Sequence, residues 1–267
     1  MPGHFTKTLT ASLMLVAIAA AAVAGPFEDA VAAHDSGDYA TAIRLLRPLA
    51  DQGLAEAQYN LAIMHFAGQG VPQSYAEAVK WFRLAADQGD ALAQCKVGLM
   101  YAQGLGVAQD YRQAITWYRK AADQGSAEGQ VGLGWMYGHG QGVPQSYIEA
   151  MKWFRLAADQ GDANAQRNLG LMYAEGQGVP QNFAEAVKWL GLAADHGLAD
   201  AQINLGVMYA RGQGVAQDYV QAHLWFDLAA MQGDQGAARN RDMAERLMTP
   251  AQIAEARKLA REWKPQR

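Results

Sequence analysis

The stretch GDALAQCKVGLMYAQGLGVAQDYRQAITWYRKAADQ, Gly89 to Gln124, decides the fold. Its pattern begins again at Gly53, Gly125, Gly161 and Gly197, giving five copies of a 36-residue unit. Trp81, Trp117, Trp153, Trp189 and Trp225 mark one place in every copy and are assigned to a structural core. The pairs Gly68/Gly70, Gly104/Gly106, Gly140/Gly142, Gly176/Gly178 and Gly212/Gly214 mark another. A fixed period of this length means stacked repeats, because one helical pair cannot bury its own apolar face.

Each unit reads as helix, turn, helix. Ser74, Asp110, Ser146, Asn182 and Asp218 are good N-cap types, and Glu77, Gln113, Glu149, Glu185 and Gln221 follow three residues later. That spacing predicts a capping box, with the short side chain accepting from the third helical N–H and the Glu or Gln reaching back. Ala78, Trp81, Phe82 and Ala85 then give the stripe of a half-buried helix. The preceding helix runs over Ala91 to Tyr101 and its equivalents. Gly98, Gly134, Gly170 and Gly206 fall inside it, with Ala62 in the first copy. A helix-interior glycine costs about 1 kcal/mol against alanine, so its recurrence predicts a close helix–helix approach. The Gly-x-Gly-Val turn needs positive φ at its glycines. It lacks the GK[ST] ending of a phosphate-binding loop.

The units resemble the Sel-one-like repeat, a relative of the tetratricopeptide repeat. The resemblance rests on Ala163, Ala165, Gln166, Leu169, Gly170, Met172 and Tyr173, on the G-x-G-V turn, and on Ala150, Trp153 and Ala157 to Gly161. It implies an all-α, right-handed α-solenoid of helix-turn-helix repeats, in a family whose members mostly act as adaptors or scaffolds for other proteins. Full repeats are assigned to 53–88, 89–124, 125–160, 161–196 and 197–232. Residues 25–52 form a shorter N-terminal cap, with Pro48 expected to kink or loosen its second helix. Residues 233–267 form C-terminal capping helices, with Thr249-Pro250 starting the last. Some relatives staple each unit with a cysteine pair; here Cys95 is the single cysteine, so that staple is absent.

Residues 1–24 read as a signal peptide. Lys7 precedes an apolar run, and Ala22-Val23-Ala24 is a small-residue site with cleavage expected after Ala24. The chain is therefore expected to be exported, to the periplasm in a Gram-negative source. Loss of Lys7 alone takes Lys+Arg from 22 to 21 against Asp+Glu 26, a formal charge of −5. That balance offers no basic footprint for nucleic acid.

No catalytic, metal or cofactor set is expected. The histidines form no H-x-x-x-H or H-E-x-x-H pair, and no G-x-S-x-G nucleophile occurs. By the register of the related tetratricopeptide architecture, the first helices line a concave face. Its places include Tyr59, Ile63, Phe66, Cys95, Leu99, Trp135, His139, Arg167, Leu171, Glu175, Asp200, Val207 and Arg211. These vary between units while the packing residues do not. Tyr59, Phe66, Trp135, His139, Arg167 and Arg211 are the expected partner-binding residues, because aromatic and arginine side chains dominate interface energetics. Cys95 is read as passive filling. The function that follows is a non-catalytic scaffold holding a segment of another protein. The alternatives are an envelope hydrolase of peptidoglycan or β-lactam type, and a self-associating envelope structural protein.

Overall fold

A computed structural model describes residues 25–265. The expected signal peptide and its cleavage point lie outside the described residues. Every regular element among these is a helix, and the contacts divide the chain into two compact units at Gln124/Gly125. The first unit holds α1 (25–35), α2 (Tyr39–Asp51), α3 (Ala55–Ala67), α4 (Tyr75–Asp87), α5 (Ala91–Gln103) and α6 (Tyr111–Asp123). The second holds α7 (Ala127–His139), α8 (Tyr147–Asp159), α9 (Ala163–Glu175), α10 (Phe183–Asp195), α11 (Ala199–Arg211), α12 (Tyr219–Met231), α13 (Gln235–Glu245) and α14 (Pro250–Glu262). Helices pack in sequence order, α3 on α4 and α4 on α5 in the first unit, α8 on α9 and α9 on α10 in the second. This is an all-α solenoid of helix-turn-helix repeats.

The close approach predicted at the interior glycines has a specific partner. A Cβ on Gly98 would lie 2.8 Å from the Tyr118 ring, and one on Gly134 or Gly206 would lie 2.7 Å from Phe154 or Phe226. Each first helix thus offers a flat seat to a large side chain of the second. In the first repeat Ala62 takes the glycine's place, and Tyr59 meets Phe82 edge-on at 5.5 Å. In the turns, the first glycine closes the first helix in the left-handed region, as at Gly104 with φ 69°. The second sits against the preceding repeat: a Cβ on Gly106 would overlap the Tyr75 carbonyl, and one on Gly214 the Phe183 carbonyl. Positive φ was legible in the sequence; this contact with the neighbouring repeat was not.

The capping box forms only in half at the repeated second helices. Ser74 Oγ accepts from Glu77 N–H and Ser146 Oγ from Glu149 N–H. The return bond is missing because the cap's own N–H already donates to the end of the first helix. Ser74 donates to the His65 carbonyl, Ser146 to Tyr137 and Asp218 to Tyr209. Glu77, Glu149 and Glu185 pair instead with Lys80, Lys152 and Lys188. The box with both halves occurs at Thr249/Gln252, which open α14. Pro48 does not break α2, which runs from Tyr39 to Asp51. Its side is exposed, so the carbonyl left without a donor faces water.

Buried glutamines tie successive repeats together. Gln58 and Gln94 donate through Nε2 to the carbonyls of Ala50 and Ala86, at the end of the preceding helix. Their Oε1 atoms accept from Gln88 and Gln124, both at 2.8 Å. Gln130 accepts from Gln160, and Gln202 from Gln232. His196 stands where the series would place the donor to Gln166, and Gln166 Oε1 is buried without a partner. A buried amide in a low-dielectric site is costly unless its bonds are made, so this ladder fixes how one repeat docks on the next.

Of the five structural tryptophans, Trp81, Trp117, Trp189 and Trp225 are buried, while Trp153 is half-buried. Arg47 lies over Trp81 and Arg155 over Trp189, at 5.3 and 4.7 Å from the ring centres. Gly191 occupies the corresponding arginine place before Trp225, and there Trp263 packs edge-on at 6.5 Å. Both C-terminal helices, α13 and α14, pack on α12 of the last repeat. Glu245 of α13 joins the three helices: its Oε1 accepts from His223 Nε2 on α12 and from Arg257 Nη2 on α14, both at 2.8 Å.

Replacing His196 by glutamine supplies the missing donor to Gln166. We expect His196→Gln to raise stability by about 0.5–1.5 kcal/mol in denaturant melts, the worth of one net hydrogen bond. The bond from His223, with Arg257 beside it, lowers the Glu245 pKa below its usual 4.5. A lowered carboxylate contributes stability above its unfolded value and loses it as pH falls through the folded value. Stability should therefore decline from about pH 4.5 downward, and Glu245→Gln should flatten that acid limb in melts at stepped pH.

Candidate functional site

The first helices of the second unit carry the variable places, and the structure gathers several of them. Trp135, near the end of α7, is 45% exposed, although its repeat equivalents Leu171 and Val207 are half-buried. One turn later His139 stacks on it, with ring centres 3.7 Å apart and planes 19° from parallel. His139 Nδ1–H donates to the Trp135 carbonyl at 2.9 Å, which fixes the imidazole against the indole. The pair forms one wall of a cleft of about 370 Å³. The opposite wall comes from α9: Arg167, Asn168, Leu171 and Glu175. The floor is Phe154 of α8, the ring seated on Gly134.

Gly138 lines the cleft between Trp135 and His139. Ala102, Ala174 and Ala210 hold this place in other repeats. A Cβ on Gly138 would meet only Ala150, at an ordinary 3.6 Å. Core packing therefore does not require this glycine, in contrast with Gly134 four residues before it. Arg167 is positioned by an ion pair with Asp200 of α11, Nη2 to Oδ2 at 3.3 Å. Its Nε is buried without a partner. Glu175 accepts from Gln177 Nε2 at 2.7 Å. The cleft thus combines a flat aromatic wall, an aliphatic face and one charge of each sign.

A second cleft, of about 260 Å³, repeats this geometry two units later. Val207, Ala210 and Arg211 of α11 replace Trp135, Gly138 and His139. Asn240, Met243 and Leu247 replace Asn168, Leu171 and Glu175, and Phe226 is again the floor. Met243 and Leu247 are 54% and 62% exposed. The 36-residue register continued past Val207 and Arg211 leads to both residues.

The six expected contact residues divide accordingly. Trp135, His139 and Arg167 line the first cleft, and Arg211 the second. Tyr59 and Phe66 belong to the other unit and lean into its core, Tyr59 on Phe82 and Phe66 on Tyr75 at 5.1 Å. Cys95 is fully buried and in no disulfide, so its groove-facing assignment is corrected: it packs inside, away from the variable face. Among the described residues no group of three His, Cys, Asp or Glu is placed to hold a metal, and no helix is long and apolar enough to cross a membrane.

Comparison with known proteins agrees with the repeat and the fold. The Sel1 repeat model matches residues 55–90, 91–126, 127–162, 163–198 and 199–234. The chain belongs to the Sel1 repeat family. A repeat has no natural start, and these bounds begin two residues after the glycine chosen above. A Sel1 repeat protein from Oxalobacter formigenes is 31% identical, with a TM-score of 0.77 over 89% of this chain and 96% of that one. The protein c5321, described as a protective antigen of uropathogenic Escherichia coli strains with an SLR fold, is 34% identical with a TM-score of 0.77. The match covers 90% of this chain but only 53% of that one, so this Sel1 repeat chain spans about half its length. The immunity protein Pa5087 of Pseudomonas aeruginosa, at 21% identity and a TM-score of 0.51, shares the fold. No protein with a curated description matches this chain in sequence. Sel1 repeats generally mediate protein interactions, and the family is typically a non-catalytic scaffold.

The two glycines of α7 should respond oppositely to an added methyl group. Gly134→Ala drives a Cβ into the Phe154 ring and should lower the melting temperature. Gly138→Ala meets no such neighbour and should raise stability by about 1 kcal/mol through helix propensity. Paired thermal melts check both.

Proposed function

We propose that this Sel1 repeat protein is an exported, non-catalytic scaffold that holds a segment of a partner protein on the first helices of its second unit. The observation that carries the reading is the Trp135/His139 stack. A large aromatic surface stands 45% exposed on a framework whose other repeated tryptophans are mostly buried, and it is held rigid by its own neighbour. Preorganised aromatic walls beside an arginine are the usual anchors of protein interfaces, because they bury much area at little cost in side-chain entropy. Export rests on the composition of residues 1–24, and an envelope partner follows from it.

Two measurements test the reading. Trp135→Ala should leave stability nearly unchanged, whereas Trp189→Ala, which opens the core, should cost about 3–5 kcal/mol. Wild type and the folded Trp135→Ala/Arg167→Ala variant are then used to capture partners from the envelope fraction of the native host, with cross-links mapped by mass spectrometry. A protein held by wild type through α7 and α9 and lost by the variant is the expected outcome. Equal capture by both baits would remove the site from this face, and recovery of the chain only from the cytoplasm with residues 1–24 intact would remove the export.

A further inference from the structure

The two clefts are the same place in the repeat, formed once between α7 and α9 and again between α11 and α13. They are separated by two first-helix steps of one regular array. Packed helices lie 8–10 Å apart, so the two clefts are on the order of 20 Å apart. At about 370 and 260 Å³, each is smaller than one turn of a helix, which at 10–12 Å diameter and 5.4 Å pitch fills roughly 420–610 Å³, so each suits a side chain. A strand advancing about 3.3 Å per residue covers that separation in about six residues, and a polyproline II segment at about 3.1 Å does the same. Six is a multiple of both repeats, two for a strand and three for polyproline II, so residues i and i+6 face the same side in either conformation.

The charges give the chain a direction. In the first cleft the charge of Arg167 is taken up by Asp200 and Glu175 adds a carboxylate, so no cation is left over. Arg211 is the one charged residue lining the second cleft, and it makes no ion pair among the described residues. An exposed cation beside an apolar cleft favours an acidic group next to the side chain that fills it.

We infer that the partner segment is an extended peptide with large apolar side chains at i and i+6, the first against Trp135 and the second against Met243 and Leu247, with a carboxylate beside the second that meets Arg211. This rests on the scaffold reading above and specifies its ligand.

The test uses the full chain and short synthetic peptides with Ser/Thr/Gln spacers, read by fluorescence anisotropy. Two phenylalanines are placed at i/i+4, i/i+6 or i/i+8, with Asp or Lys after the second, alongside a single-phenylalanine control. The i/i+6 peptide with Asp should bind tightest, by roughly tenfold or more over the others, as expected for a second anchor. Gly138→Leu, which fills the first cleft, and Leu247→Glu, which charges the exposed second one, should each reduce it to the single-anchor level. Trp135→Ala replaces Gly138→Leu if that variant does not fold. Arg211→Glu should reverse the preference for Asp over Lys. Affinity independent of spacing, or indifferent to the cleft variants, overturns the inference. A captured partner that cross-links to Trp135 but carries no such pair overturns it while leaving the scaffold reading intact. A concentration-dependent mass abolished by Leu247→Glu would give the second cleft to another copy of this chain and also overturn it.

Discussion

The contact on which the rest depends is a ring seated on a glycine. Gly98 under Tyr118, Gly134 under Phe154 and Gly206 under Phe226 bring the two helices of a repeat closer than any side chain at that place would permit. The glycine weakens its own helix, since it has more backbone freedom to lose. Burial of a large side chain against bare backbone offsets this, at about 25 cal/mol per Å² of apolar surface removed from water. The two turn glycines are a separate requirement, present also in the first repeat where Ala62 takes the seat.

Docking between repeats is a second, separate constraint. It is polar as well as apolar. The buried glutamines join the end of one repeat to the first helix of the next through amide pairs that have a single good geometry. Hydrogen bonds of this kind add modest net stability but penalise misalignment heavily, because a slipped repeat would leave buried amides unpaired. The second turn glycine, pressed on the preceding repeat's backbone, acts in the same direction. His196 is the one break in the ladder within the second unit, and its cost falls on Gln166.

A rigid frame of this kind frees the remaining places to vary. The first-helix positions carrying Trp135, Arg167, Leu171, Val207 and Arg211 take no part in the ring seats or the glutamine ladder. Their chemistry can change from repeat to repeat without disturbing the frame. In the second unit this variation yields two clefts at one register, one aromatic with its arginine already paired and one aliphatic beside a lone cation. Gly138 has the same freedom: it lines the first cleft, and core packing does not need it.

The sequence by itself determined the period, the helix-turn-helix unit, the positive-φ turns and the N-cap residues of the second helices. These are local or strictly periodic consequences of residue type, repeated five times over, and repetition averages out the ambiguity of a single helix. It also singled out Trp135, Arg167 and Arg211 as departures from the pattern. Tertiary structure decided what depends on partners far along the chain. The capping glutamates turn to lysines because the N-cap donor is already taken by a helix end nine residues back, as at Ser74 and His65. Cys95 is buried and Tyr59 leans on Phe82 because the rotation of a helix against its neighbours, not its own periodicity, selects which of several apolar residues faces outward. Met243 and Leu247 follow from the 36-residue register, but that they line a cleft with Val207 and Arg211 over Phe226 is decided by the packing of α13 on α12.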